Sequence, residues 1–266
     1  MSTNSRNDSF MGSIAGRLSS LRSSGRGGCS NISLSLQKPV LLEKGYCVMS
    51  IVASGGQGEV LKASRREVSS PISSLATSTA SIHSTNNANL VSTNIVAIKY
   101  VRCQSDEQRQ ETMDEVNMLK LVAHPNVVEL QEVIEDRSGI YVVTEFLNGG
   151  DLLDRIQKGA FSEAQVLYFA EKALSILSFM HDLEIFHRDL KLENFMIHKD
   201  PATGEEIIKL IDFGMACRIR AKPNAPECLI YDEHPGTLNY EPPEIVRREP
   251  YRPDKVDIWC MGVMLY

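Results

Sequence analysis

Apolar positions in the first half of the chain fall into four strand-like stretches. Tyr46–Ala53 is rich in β-favouring residues, Ile95-Val96-Ala97-Ile98 is a continuous apolar run that ends in Lys99, and residues 127–135 and 140–146 alternate or run apolar. Between the second and third stretches, Ser105-Asp106-Glu107-Gln108 places a serine at a cap position, a glutamine three residues on and acids in the first turn. That is the start signal of a helix. It is predicted to run to about Val122, with Val116, Leu119 and Val122 along one side. Ser162-Glu163-Ala164-Gln165 opens a second helix, whose Val166, Phe169, Ala170, Ala173, Leu174 and Leu177 follow the spacing of a core-facing stripe. Phe195–Ile197 and Ile207–Ile211 read as two short strands across the polar turn Lys199-Asp200-Pro201-Ala202-Thr203-Gly204.

Two regions lack any period. Residues 1–37 are Ser-rich, carry Arg6, Arg17, Arg22 and Arg26 against one acid, and offer little to bury. A disordered tail follows from that composition, with a transit peptide as the alternative reading, since Phe10, Ile14, Leu18 and Leu21 have the spacing of a short amphipathic turn. Residues 65–94 are rich in Ser, Thr and Asn and read as a disordered insertion between two strands.

Composition narrows the classes further. A chain of 266 residues makes one or two domains, and no run is apolar enough for a transmembrane segment. The six cysteines are scattered with no Cys-x-x-Cys pair, which predicts free thiols in a reducing compartment, cytoplasmic or nuclear. The net charge is -6, but residues 1–45 hold six Lys/Arg against Asp8 and Glu43, leaving the remainder at -10. An acidic body argues against nucleic acid as a partner and favours a basic peptide.

The candidate chemistry centres on His187-Arg188-Asp189-Leu190-Lys191-Leu192-Glu193-Asn194, followed by Asp212-Phe213-Gly214. These strings offer a base (Asp189), a cation beside it (Lys191) and two oxygen-bearing metal ligands (Asn194 and Asp212). Mg²⁺ takes hard oxygen donors and shares its shell with substrate phosphates. Phosphoryl transfer asks for little beyond positioning, charge neutralisation and an oriented nucleophile.

This pair of strings resembles the catalytic loop and metal-binding loop of a eukaryotic protein kinase. The resemblance covers about residues 45–266 with the motifs in the family's order. It implies an α+β, two-lobed fold: a tail over 1–40, a β-rich N-lobe over 41–147, and a mainly helical, partial C-lobe over 148–266. ATP and Mg²⁺ are the implied cofactors, and protein Ser/Thr hydroxyls the implied substrates. Val52-Ala53-Ser54-Gly55-Gly56-Gln57-Gly58-Glu59-Val60 matches the glycine-rich phosphate loop, with Ala53 in place of the first glycine. Ala97 and Lys99 match the strand lysine that pairs with phosphates, and Glu115 the helix glutamate that pairs with that lysine. Thr144 matches the gatekeeper, and Glu145, Phe146 and Leu147 the adenine-binding hinge. Asp151 either contacts ribose or a substrate arginine, or caps a helix.

In the same resemblance Gly236–Glu244 matches the end of an activation segment, with Thr237 and Glu244 at family positions and Pro242 replacing an alanine. Between Gly214 and Thr237 there is no Ser or Thr, and Tyr231 is the only hydroxyl. Arg188, which pairs with a loop phosphate in the family, is therefore expected to work without one, with Glu227, Asp232 or Glu233 supplying charge. Asp257 matches the residue that braces the Arg188–Asp189 backbone. Lys191 marks a serine/threonine kinase and Met215 leans toward serine. Glu193 with Asp151 would receive a substrate arginine, as in the calcium/calmodulin-dependent group, although no regulatory partner can be named. The chain stops at Tyr266 inside the helix that begins near Asp257, so a truncated lobe is expected. The alternative function is a catalytically impaired kinase-like binding or scaffold module.

Overall fold

Strand-forming residues from Tyr46 onward build one antiparallel sheet. Its strands are β1 (Tyr46–Gly55), β2 (Gly58–Arg65), β3 (Asn94–Arg102), β4 (Leu130–Glu135) and β5 (Gly139–Glu145), in the order β1-β2-β3-β5-β4. This computed structural model describes residues 38–55, 58–66, 94–159, 161–219, 229–230 and 236–266. The 1–37 tail, most of the 65–94 insertion, Gly56, Gln57, Glu227, Tyr231, Asp232 and Glu233 lie outside the described residues. The insertion's flanking residues, Arg65 and Asn94, are register partners across β2 and β3.

Side chains alternate across a strand, so β3 serves two faces. Val96, Ile98 and Tyr100 join Tyr46, Val48, Leu61, Ala63, Ile134, Tyr141 and Val143 in one buried cluster. Ala97 and Lys99 take the opposite face. That cluster is closed by a short helix, α1 (Pro39–Glu43), which starts inside the segment expected to be tail. Proline at the first helical turn is preorganised for it, and Leu41, where the N-lobe was expected to begin, buries its side chain. Leu41 is 0% exposed, so Leu41→Ala is expected to cost about 2–5 kcal/mol in urea denaturation. A loss below about 1 kcal/mol would mean that α1 only rests on the sheet.

Helix α2 (Asp106–Leu121) starts where the capping signal lies, with Ser105 Oγ accepting from Gln108 N. The reciprocal bond of Gln108 goes to Gln104 N at 2.8 Å, one residue before the cap. Val116 of α2 packs with Ile140 and Val142 on the cleft side of the sheet. The stretch from Val127 was expected to be strand throughout. Instead Val127 pairs with Leu210 in a parallel bridge and Val128 N donates to Leu210 O, so β4 begins only at Leu130. Those residues leave the sheet to hold the strand that leads to Asp212.

The second half is mainly helical: α3 (Leu152–Lys158), α4 (Glu163–Asp182), α5 (Pro243–Val246) and α6 (Pro253–Leu265). Its short strand pairs are β6 (Ile185–Phe186) with β9 (Cys217–Arg218), and β7 (Phe195–Lys199) with β8 (Glu206–Leu210). The capping box of α4 forms in both directions. Its buried stripe is Phe169, Ala173, Ile176, Leu177 and Met180, while Leu174 is exposed. The helix is apolar beyond one face, so spacing alone left the choice of face open. The lower core joins these residues to Leu190, Phe195, Ile211, Phe213, Val256 and Cys260. Cys103, Cys217 and Cys260 are free, as expected, but Cys47 is disulfide-bonded; spacing along a chain does not report which thiols meet in space. Among the described residues, no helix is long and apolar enough to cross a membrane.

Candidate active site

The upper wall of the cleft comes from β1–β3. Ala53 lies within the ladder, paired with Val60, and is not among the residues with positive φ. A strand position needs no glycine, which accounts for the alanine. Gly58 is a different case: a Cβ there would sit 1.8 Å from Tyr100 O. Val52, Ala53 and Val60 form an apolar patch against Phe146 at the hinge. Ser54 pairs with Glu59, and Gly55 with Gly58, at the tip of the same hairpin.

Lys99 pairs with Val60 across the sheet and reaches Glu115 on α2, with Nζ 2.6 Å from Oε1 and 2.9 Å from Oε2. Burial disfavours the charge on Lys99, but Glu115 and Asp212 outweigh it and hold the ammonium above its ordinary range. Lys99 thus stays a cation at neutral pH.

At the hinge, Thr144 pairs with Ala97 in the sheet. The Glu145 carboxylate turns to Lys209 on β8, 2.6 Å away, and its Oε1 also accepts from Glu129 N. Leu147 is buried, and among the described residues its backbone makes no hydrogen bond. Asp151 caps α3: Oδ1 accepts from Asp154 N at 2.7 Å, and the residue is 1% exposed. The cap reading of Asp151 is formed through Oδ1, while Oδ2 is buried without a hydrogen-bond partner among the described residues. Burial pushes its carboxyl above the usual range.

The catalytic loop hangs from one buried carboxylate. Asp257, on α6, accepts from Arg188 N (2.7 Å) and His187 N (3.0 Å), and its Oδ2 lies 2.8 Å from His181 Nε2. Arg188 has φ 65°, a left-handed conformation that a non-glycine residue takes only when its surroundings hold it there. The turn brings Asp189, Lys191 and Thr237 into a triangle. Lys191 Nζ donates to Asp189 Oδ2 at 2.8 Å and to Thr237 Oγ1 at 2.7 Å, and Thr237 Oγ1 donates to Asp189 Oδ1 at 2.9 Å. Gly236 lies tight against this turn, since a Cβ would come within 3.0 Å of Arg188 O.

Beneath it, Asn194 Nδ2 donates to Asp189 O at 2.9 Å, and Ile211 N donates to Asn194 O at 3.0 Å, tying the two loops together. Asn194 is fully buried, and its Oδ1 has no hydrogen-bond partner. An orphaned buried acceptor is costly unless something fills it. Asp212 is also buried, with Oδ1 accepting from Gly214 N at 3.1 Å.

The site is thus assembled largely from residues the sequence singled out. Glu193 is half-buried, and its Oε2 accepts from Tyr240 at 3.4 Å. Glu244 sits in the first turn of α5 and forms no ion pair among the described residues. Sequence reasoning missed His181, Lys209, Tyr240 and Tyr251, which touch Asp257, Glu145, Glu193 and Arg188 respectively. No spacing rule links those pairs, and only the fold brings them together.

The sequence model of the protein kinase domain matches residues 81–266. The chain belongs to the protein kinase family. Among its relatives, serine/threonine-protein kinase H1 of Homo sapiens is 37% identical over 171 residues, covering 64% of this chain and 39% of that protein. Calcium/calmodulin-dependent protein kinase type 1 of Macrobrachium nipponense is 32% identical over 174 residues, covering 65% and 48%. CBL-interacting protein kinase 12 of Oryza sativa subsp. japonica is 38% identical over 154 residues, covering 57% and 27%. The chain thus spans less than half the length of these relatives. The sheet and the helices that carry the cleft agree with the two-lobed protein kinase fold. The glycine hairpin lies ahead of the matched span, and its link to this kinase site is the pairing of β2 with β3.

Proposed function

We propose that this chain transfers the γ-phosphoryl group of ATP to a Ser/Thr hydroxyl of a protein, with serine near an arginine preferred. The observation that carries the reading is the Asp189–Lys191–Thr237 triangle beside the unpaired Asn194 Oδ1 and buried Asp212. Asp189 orients the substrate hydroxyl and takes its proton as the oxygen–phosphorus bond forms and the bond to ADP breaks. Lys191 holds Asp189 in place and offers positive charge to the transferring group. Lys99, fixed by Glu115, binds the α- and β-phosphates, and the amides of the glycine hairpin approach them from above.

Asn194 Oδ1 and Asp212 fit Mg²⁺: both are hard oxygen donors, and the first has no other partner. Among the described residues, no cluster of three or more His, Cys, Asp or Glu forms a cage, so such a cation would share its shell with phosphate oxygens and water. When bound, it would neutralise charge on the phosphates. The free backbone of Leu147 suits an adenine edge, with Val52, Ala53, Val60 and Ala97 as the apolar walls. Glu193 supplies the carboxylate for a substrate arginine.

The test is phosphotransfer from ATP·Mg²⁺ to an arginine-containing serine peptide by this chain. Turnover that needs Mg²⁺ and Asp189 supports the reading. Thermal protection by ATP without turnover would instead support a nucleotide-binding module.

A further inference from the structure

Arg188 precedes the catalytic aspartate and must hold a left-handed backbone. Its guanidinium is anchored on two elements at once. Nε donates to Met215 O at 2.8 Å, just beyond Asp212-Phe213-Gly214, and Nη1 donates to the Tyr251 hydroxyl at 3.1 Å. Tyr251 is 2% exposed and belongs to the lower core. Its backbone forms a two-way antiparallel bridge with Ile230 of the activation segment, through Ile230 N to Tyr251 O at 2.8 Å and Tyr251 N to Ile230 O at 3.1 Å. One buried residue therefore touches the arginine that sets the catalytic turn, and also the segment that the family commonly fixes with a phosphate. Between Gly214 and Thr237 the sequence contains no Ser or Thr to carry that phosphate.

We propose that Tyr251 is a positioning residue for phosphoryl transfer. Its hydroxyl holds the Arg188 guanidinium, and so the backbone that presents Asp189, while its main chain pins the activation segment. This rests on the kinase reading above. A hydroxyl bonded to a partly buried cation is worth more than a neutral pair, because a charged donor makes the stronger hydrogen bond. The bond acts on the geometry of Asp189 and touches neither the adenine wall nor Lys99, so it bears on turnover rather than on nucleotide affinity.

Tyr251→Phe separates this role from packing, because the ring and the backbone bridge remain. In the full chain, kcat for the arginine-containing serine peptide is expected to fall about tenfold, with KM for ATP within about twofold. The melting temperature is expected to stay within about 2 °C. The NMR signal of Arg188 Nε–H, assigned by its loss in Arg188→Lys, reports the anchor without turnover and is expected to broaden in Tyr251→Phe. An unchanged kcat with an unchanged signal overturns the proposal. So does a kcat loss that merely follows a large drop in melting temperature. If the wild-type chain shows no Asp189-dependent transfer, the kinase reading fails by itself, and the Nε–H signal alone decides whether Tyr251 anchors Arg188.

Discussion

Asp189→Asn is expected to lower phosphotransfer by roughly 10²–10⁴-fold, the range for a positioned general base. Asparagine keeps the shape of the side chain and can still accept from Lys191 or Thr237, so the triangle should persist. The proton acceptor is what disappears. ATP affinity is expected to stay within about threefold, because Lys99, Glu115 and the hairpin are untouched. Steady-state kinetics beside a nucleotide titration check this. A variant retaining more than about a tenth of the wild-type rate would show that Asp189 only shapes the loop, and the proposed proton transfer would be wrong.

The second large effect falls on the fold. Asp257 is 0% exposed and gathers the amides of His187 and Arg188 with the ring nitrogen of His181. Asp257→Ala leaves those donors buried without an acceptor, and each such group carries its own desolvation penalty. Breaking a buried charged network in this way typically costs about 3–5 kcal/mol. Urea denaturation is expected to show that loss, together with near-complete loss of transfer even where the protein stays folded. If stability falls by less than about 1 kcal/mol, water must reach the site and the carboxylate is not the anchor described here.

Much of this fold and site is legible in the sequence. The cap at Ser105, the apolar run ending at Lys99 and the strings around Asp189 and Asp212 are local signals, and each led to the element it predicted. The failures share a cause. Leu174 fitted the α4 stripe but is exposed, because a helix apolar on several faces is oriented by its neighbours. Val127 and Val128 have strand chemistry, yet they bond to Leu210 rather than continue β4. Pro39 fell within a tail by composition, although it opens the helix that covers a sheet face. For the site, sequence supplied the reacting groups but not their supports: His181, Lys209, Tyr240 and Tyr251 lie 47 to 76 residues from the side chains they hold and meet them only through the fold.

The rung formed by Arg65 and Asn94 has a practical side. These residues face each other across β2 and β3, so the chain leaves the sheet and re-enters it at neighbouring points. The pairing of Val60 with Lys99 lies further along the same ladder and depends on that register, not on what the excursion contains. Lengthening a connection whose ends are already fixed costs only fractions of a kcal/mol per doubling. The position therefore suits protein engineering: a short turn can replace the excursion, or a reporter domain whose termini lie close together can be grafted there, with Lys99 left in place.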